Sequence, residues 1–237
     1  MLREGFVSPT SISVATVNPE MLLAARKKRD VAHVLRQMTW RIPDGFGITL
    51  LSRIRGEGRV PRYPGVDLLL DLCRMGAKGG KRLFLLGGWG TVTDQAASVL
   101  MKAFPGLNVE GIGDVEIGFE DGIWRQPSDL LARIRGARPD ILAVALGGSV
   151  SLRQERWILE HLHQLPTVRI ALGVGGALDM ISGRLKRAPK WMRAFGIEWF
   201  WRFLQEPRRF PRIFSALILF PFFALLDRIH RTTLYDY

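Results

Sequence analysis

Along the chain, short apolar runs alternate with longer stretches of helical periodicity. Four runs are aliphatic, compact and bounded by turn formers, and they predict buried strands at residues 11–16 (SISVAT), 82–86 (RLFLL), 140–146 (DILAVAL) and 168–174 (VRIALGV). Residues 40–42 and 108–112 are weaker strand candidates. Helical patterning predicts helices over 19–38, 46–55, 66–78, 92–104, 127–136, 151–164 and 176–181. Pro19 and Pro127 suit a first helical turn, where a missing N–H costs nothing; Gly56 and Gly106 suit helix stops. Such alternation builds an α/β fold, a Rossmann-like parallel sheet flanked by helices.

The pattern changes near Arg184. Residues 184–212 carry nine Lys or Arg against two acids, interleaved with Trp191, Trp199 and Trp201, and residues 213–226 are wholly uncharged. Basic side chains are drawn to anionic headgroups and Trp sits where apolar and wet regions meet. The segment therefore reads as a basic, apolar helical appendage (184–237) that attaches a Rossmann-like domain (1–183) to a membrane surface. The apolar stretch is 14 residues long and contains Pro221, short of the roughly 20 residues a spanning helix needs, so peripheral attachment is expected. The competing expectation is that Phe214, Leu217, Ile218 and their neighbours pack as a C-terminal helix on the core; the same patch also suits a homo-oligomer interface.

Composition narrows the classes. A chain of 237 residues with 47% apolar content holds a large α/β core and is not a disordered protein. The formal charge of +12 points to a polyanionic partner, whether nucleic acid, a phosphate-bearing substrate or a membrane. Cys73 is the single cysteine, which excludes a disulfide framework and fits a reducing cytosol. The N-terminus lacks the charged and apolar regions of a secretory signal.

In an open parallel sheet, ligands bind beyond the carboxyl ends of the strands. The segments expected there are Thr16-Val17-Asn18, Pro43-Asp44-Gly45, Gly87-Gly88-Trp89-Gly90-Thr91, Gly147-Gly148 and Gly173-Val174-Gly175-Gly176. The Gly87 loop, between a strand and a helix, offers backbone N–H groups to a diphosphate or is simply a tight turn. Its spacing matches neither a G-x-G-x-x-G fingerprint nor a Walker sequence, which disfavours NAD and P-loop chemistry. Asp44 sits on a tight turn and reads either as a general base or as a turn former capping the next helix. Gln154 suits a sugar or uracil edge and Glu155 a hydroxyl, unless both belong to an ordinary solvated helix start. Arg62 is a phosphate ligand or a surface cation, and Asp67 a first-turn acid. The four histidines are scattered, and no D-x-D pair precedes the loops, so no metal or other cofactor is expected.

Taken in order, Thr16-x-Asn18-x-Glu20, Pro43-Asp44-Gly45, Arg62-x-x-Gly65-x-Asp67, Phe84-Leu85-Leu86-Gly87-Gly88, Arg153-Gln154-Glu155-x-Trp157, Gly173-Val174-Gly175-Gly176, Arg187-Ala188-Pro189-x-Trp191-Met192 and the closing Glu198-Trp199-Phe200-x-Arg202-x-x-Gln205-Glu206-Pro207-Arg208-Arg209 resemble the WecG/TagA/CpsF glycosyltransferase family. The resemblance implies a metal-independent inverting enzyme that moves an N-acetylmannosamine-type sugar or a hexose from a UDP-sugar to a polyprenyl-diphosphate-linked sugar. It would do so at the cytoplasmic face of the membrane, in exopolysaccharide, capsule or other cell-surface polysaccharide synthesis. By position, it implies Asp44 as the base that deprotonates the acceptor, Thr16 and Asn18 in the same pocket, Arg62 on phosphate and Gln154 on the donor. Gly87, Gly88 and Glu155 complete the expected substrate site. Arg187, Lys190, Trp191, Arg202, Arg208 and Arg209 are expected at the membrane or the acceptor diphosphate.

Two departures stand out. The family carries a further strand and helix before the Thr-x-Asn motif, so the sheet is expected either to lack an edge or to belong to a longer chain. Leu152-Arg153 stands where Pro-Lys is usual. The alternative readings are a non-catalytic, membrane-attached nucleotide-binding protein and a nucleic-acid-binding module. The latter predicts charge spread over one face with stacking aromatics, whereas the basic excess here is concentrated beside an apolar tail.

Overall fold

A computed structural model describes residues 2–8, 10–56, 60–148, 150–207 and 210–223. Its centre is a six-stranded, wholly parallel sheet in the order β2-β1-β8-β7-β3-β4. The strands are β1 (Ile12–Val17), β2 (Trp40–Pro43), β3 (Arg82–Gly87), β4 (Asn108–Ile112), β7 (Ile141–Ala145) and β8 (Ile170–Gly173). Every residue of β1, β7 and β8 is buried, as expected of a sheet covered on both faces, whose strands read as continuous apolar runs. All six predicted strands are present with ends shifted by two residues or fewer.

The helices are α1 (Leu2–Val7), α2 (Pro19–Lys27), α3 (Arg29–Gln37), α4 (Phe46–Arg55), α5 (Gly65–Lys78), α6 (Val92–Ala103), α7 (Leu130–Ala137), α8 (Arg153–His161) and α9 (Ala177–Ile181), followed by α10 (Lys190–Ala194), α11 (Glu198–Gln205) and α12 (Phe210–Phe214). The single helix expected over 19–38 is two: Lys28 is extended (φ −130°, ψ 118°). Lys28 belongs to the cationic run Arg26-Lys27-Lys28-Arg29, and the bend lets α2 and α3 each turn an apolar face inward while Lys27 to Arg29 stay in water. Pro127 does not open a helix. It lies in a turn whose carbonyl accepts the Leu130 N–H (3.1 Å), and α7 starts at Leu130. The strands β5 (Gly118–Glu120) and β6 (Ile123–Arg125) form a hairpin absent from the sequence reading. Its signal was Asp121-Gly122, both at positive φ, the pair that favours a two-residue hairpin turn.

The C-terminal helix is neither detached nor wholly packed. It is π-wound over Ser215–Leu219, and Phe220 is fully buried in the cluster formed by α2, α3 and β1. Phe210, Phe214, Ile218 and Phe222 are spaced by four, share the other side and are exposed. Phe214 and Ile218, which one expectation packed against the core, are thus exposed, and the packed side carries Phe220 instead. Among the described residues, no helix is long and apolar enough to cross a membrane.

Candidate functional site

The carboxyl ends of β1, β2 and β8 converge on a recess of about 280 Å³. Asp44 reaches it from the turn after β2, where its N–H donates to the Val17 carbonyl (2.7 Å), fastening the end of β2 to β1. The α4 N-terminus is capped by Gly45 with no side-chain bond, so the Asp44 carboxylate does not serve as a helix cap. One oxygen accepts the Gly65 N–H at 3.4 Å and the other lies 3.9 Å from Arg62 Nε. The side chain keeps 31% of its surface open, enough for a substrate to touch it within walls that displace bulk water. Burial raises the Asp44 pKa to about 6, against the pull of Arg62 and the Gly65 N–H. A base with that pKa is ionised at neutral pH and still proton-seeking.

Around Asp44 the predicted residues assemble. Thr16 lines the recess, its hydroxyl 3.4 Å from the Gly173 carbonyl. Asn18 also lines it while its Oδ1 accepts the Met21 N–H (3.0 Å) and caps α2. Gln154 Oε1 accepts the Gly175 N–H (2.9 Å), which fixes the Gly-rich turn after β8. Arg62 is held by Glu198, which Arg187 also approaches at 4.0 Å, while a second Arg187 nitrogen bonds Asp67. Arg187 thus takes part in an ion network that joins α11 to α5. Arg202 lines the recess from α11. The sequence does not single out Glu198, because Arg62, the partner it holds, lies 136 residues away in the chain.

A second recess of about 480 Å³ adjoins the first across the shared wall of Gln154, Gly175 and Gly176. Gly88, Gly147 and Gly148 line it with Arg184. Gly87 (φ 93°) and Gly88 (φ 89°) both occupy the left-handed region. Gly87 is buried, and a Cβ there would meet the Ala145 carbonyl oxygen at 2.6 Å, so its part is to let β3 approach β7 while Gly88 faces the opening.

Glu155 lies elsewhere. It is fully buried behind the recess, and among the described residues no other residue gives its carboxylate oxygens a hydrogen bond. Burial raises its pKa to about 7. Leu152, where the family pattern has proline, takes φ 51°, which a proline ring forbids. Lys190 and Trp191 are exposed on α10, away from both recesses. Arg208 and Arg209 fall outside the described residues. Among the described residues, no three His, Cys, Asp or Glu side chains group as metal ligands.

A model of the glycosyl transferase WecG/TagA/CpsF family matches residues 2–234. The chain is 33% identical over 202 residues to an N-acetylglucosaminyldiphosphoundecaprenol N-acetyl-β-D-mannosaminyltransferase of Bacillus subtilis (strain 168), covering 85% of this chain and 75% of the relative. A protein of the same name from Bacillus spizizenii is 30% identical over 202 residues, 85% of this chain and 74% of the relative. Another, from Staphylococcus aureus (strain MW2), is 27% identical over 214 residues, 89% and 79% of the two chains.

Proposed function

The chain belongs to the WecG/TagA/CpsF family of glycosyl transferases, and from that membership we propose that it moves a sugar, N-acetylmannosamine-type or hexose, from a UDP-sugar to a polyprenyl-diphosphate-linked sugar with inversion. The relatives' names supply the acceptor class. The observation that carries the mechanism is Asp44: a carboxylate in the recess at the end of a parallel strand, with its pKa near 6, while Glu198, also in the lining, is paired with Arg62.

In this reading the acceptor sugar enters the first recess with a hydroxyl against Asp44. Its oxygen attacks the donor's anomeric carbon from the face opposite the nucleotide, the bond to UDP breaks, and Asp44 takes the hydroxyl proton as the new glycosidic bond forms. UDP leaves with the electron pair. Its diphosphate occupies the second recess, where the Gly88 and Gly147 backbones meet the growing charge together with Arg184, whose guanidinium lies 3.4 Å from Asp179 in the same lining. Gln154, on the wall between the recesses, orients the donor, and Arg62 and Arg202 add positive charge on the acceptor side. Glu155 stays behind the wall and shapes it.

The exposed row Phe210, Phe214, Ile218 and Phe222 supports peripheral attachment to a membrane, with Lys190 and Trp191 at the headgroups, and in this reading the face is the cytoplasmic one. Replacing Phe214, Ile218 and Phe222 together by serine is expected to lower affinity for anionic vesicles at least about tenfold, since each apolar side chain contributes roughly 1.5–3 kcal/mol when buried. Unchanged co-sedimentation would remove this face from the membrane contact.

A UDP-release assay with a panel of UDP-sugars, with and without prenyl-diphosphate-linked sugars, tests the reaction itself. Release that requires both partners is the expected result. Folded protein that releases no UDP with any pair would point instead to a non-catalytic, membrane-attached nucleotide-binding protein.

A further inference from the structure

A third cavity, of about 210 Å³, opens from the first recess and shares Asn18, Gly45, Phe46, Trp199 and Arg202 with it. Beyond the shared residues the lining consists of Pro19, Glu20 and Gly47 and, from the C-terminal helix, the apolar Ile213, Ala216 and Leu217. The groove therefore joins a polar mouth, with Arg202 at the recess and Glu20 on the α2 side, to an aliphatic wall on the C-terminal helix. That order of polarity matches a diphosphate joined to an isoprenoid chain. We propose that this groove receives the isoprene units nearest the acceptor's diphosphate, with the rest of the polyprenyl chain left in the bilayer. The proposal rests on the reading above that the acceptor is lipid-linked.

Three further features fit this occupant. The groove is walled by the N-terminal ends of α2 and α4 and by the C-terminal helix, whose Ile213, Ala216 and Leu217 follow i, i+3, i+4 spacing and so share one face. The neighbouring face of the same helix carries Phe214, Ile218 and Phe222, exposed. One helix thus presents an apolar surface outward and the groove wall beside it, leaving a chain drawn from a lipid layer a short apolar path to the recess. The wall is set closely: a Cβ on Gly47 would lie 2.9 Å from the Ala216 carbonyl oxygen and 3.3 Å from the Phe220 ring. Contact between α4 and the C-terminal helix at Gly47 closes the groove's floor. The wall residues Ala216 and Leu217 also lie in the π-wound turn, a distortion that recurs at functional sites.

The test compares two acceptors with the same sugar diphosphate, one on a long polyprenyl chain and one on a short alkyl chain, in the same detergent micelles. The wild type is expected to use both and to favour the long chain in kcat/KM. Ala216→Trp and Ile213→Trp, which fill the groove, are expected to cut the long-to-short ratio at least about tenfold, through KM for the long acceptor. Leu217→Ala, which enlarges the groove without steric risk to folding, is expected to move the ratio the same way by less. A ratio unchanged in all three variants would overturn the groove while leaving the transferase reading standing. Equal losses on both acceptors would also overturn it, because they mark damage to the recess. Dissociation of an oligomer by Ala216→Trp with no change in ratio would assign the groove to a second copy of the chain. Wild-type protein that transfers to neither acceptor would overturn the parent reading and the groove with it.

Discussion

Asp44→Asn is expected to lower kcat by about two to four orders of magnitude, the usual contribution of a positioned general base, while changing KM little. The substitution keeps the turn, because the backbone N–H of residue 44 still reaches Val17 and the side-chain oxygen can still accept from Gly65. What is lost is proton affinity. The pH profile separates this role from a structural one. Since the Asp44 pKa is raised to about 6, the wild-type rate is expected to be flat above that pH and to fall about tenfold per pH unit below it, as the base becomes protonated. The variant's residual rate should lack that acidic limb. A variant that retains full turnover, or keeps the same limb, would show that another group removes the proton.

The second large effect is expected at Glu155, and it concerns stability. The side chain is fully buried, its oxygens take no hydrogen bond from another residue among those described, and burial raises its pKa from 4.5 to about 7. A raised carboxyl pKa means that the folded state holds a proton that the unfolded state releases, so stability falls as pH rises from the unfolded value to about 7, and the loss is complete above it. At about 1.4 kcal/mol per pH unit, the full penalty is roughly 3 kcal/mol. Glu155→Gln removes the charge and keeps the shape. It is expected to be more stable than the wild type at pH 8, by up to about that amount, and nearly equal at pH 5. Urea unfolding at the two pH values reads this directly; a variant less stable at pH 8 would reveal a partner for the ionised carboxylate.

The strands were legible in the sequence because a doubly covered parallel sheet needs uninterrupted aliphatic runs, and such runs are easily seen. The break at Lys28 was not, because helical periodicity continues through it and the bend depends on where α2 and α3 find the core. The Asp121-Gly122 hairpin has a local turn signal, but its flanking strands of three residues each are too short to show a period-2 pattern. At the site, Thr16, Asn18, Asp44, Arg62 and Gln154, expected at the substrate, line one recess, and Arg202, expected at the membrane or the acceptor diphosphate, lines it with them. Motif order did not reveal that Arg62 and Arg187 converge on Glu198, a contact between segments more than a hundred residues apart for Arg62. Nor does a sequence distinguish an acid facing a cavity from one facing the core. Gln154 and Glu155 are adjacent, yet only Gln154 lines the recess.

The central claim is a single-base displacement in which Asp44 deprotonates the acceptor as UDP departs from the opposite face. The anomeric configuration of the transferred sugar, read by NMR on product made from a donor of known configuration, tests it most directly. Inversion at that carbon is the predicted result. A product that retains the donor's configuration would require two displacements and contradict the account.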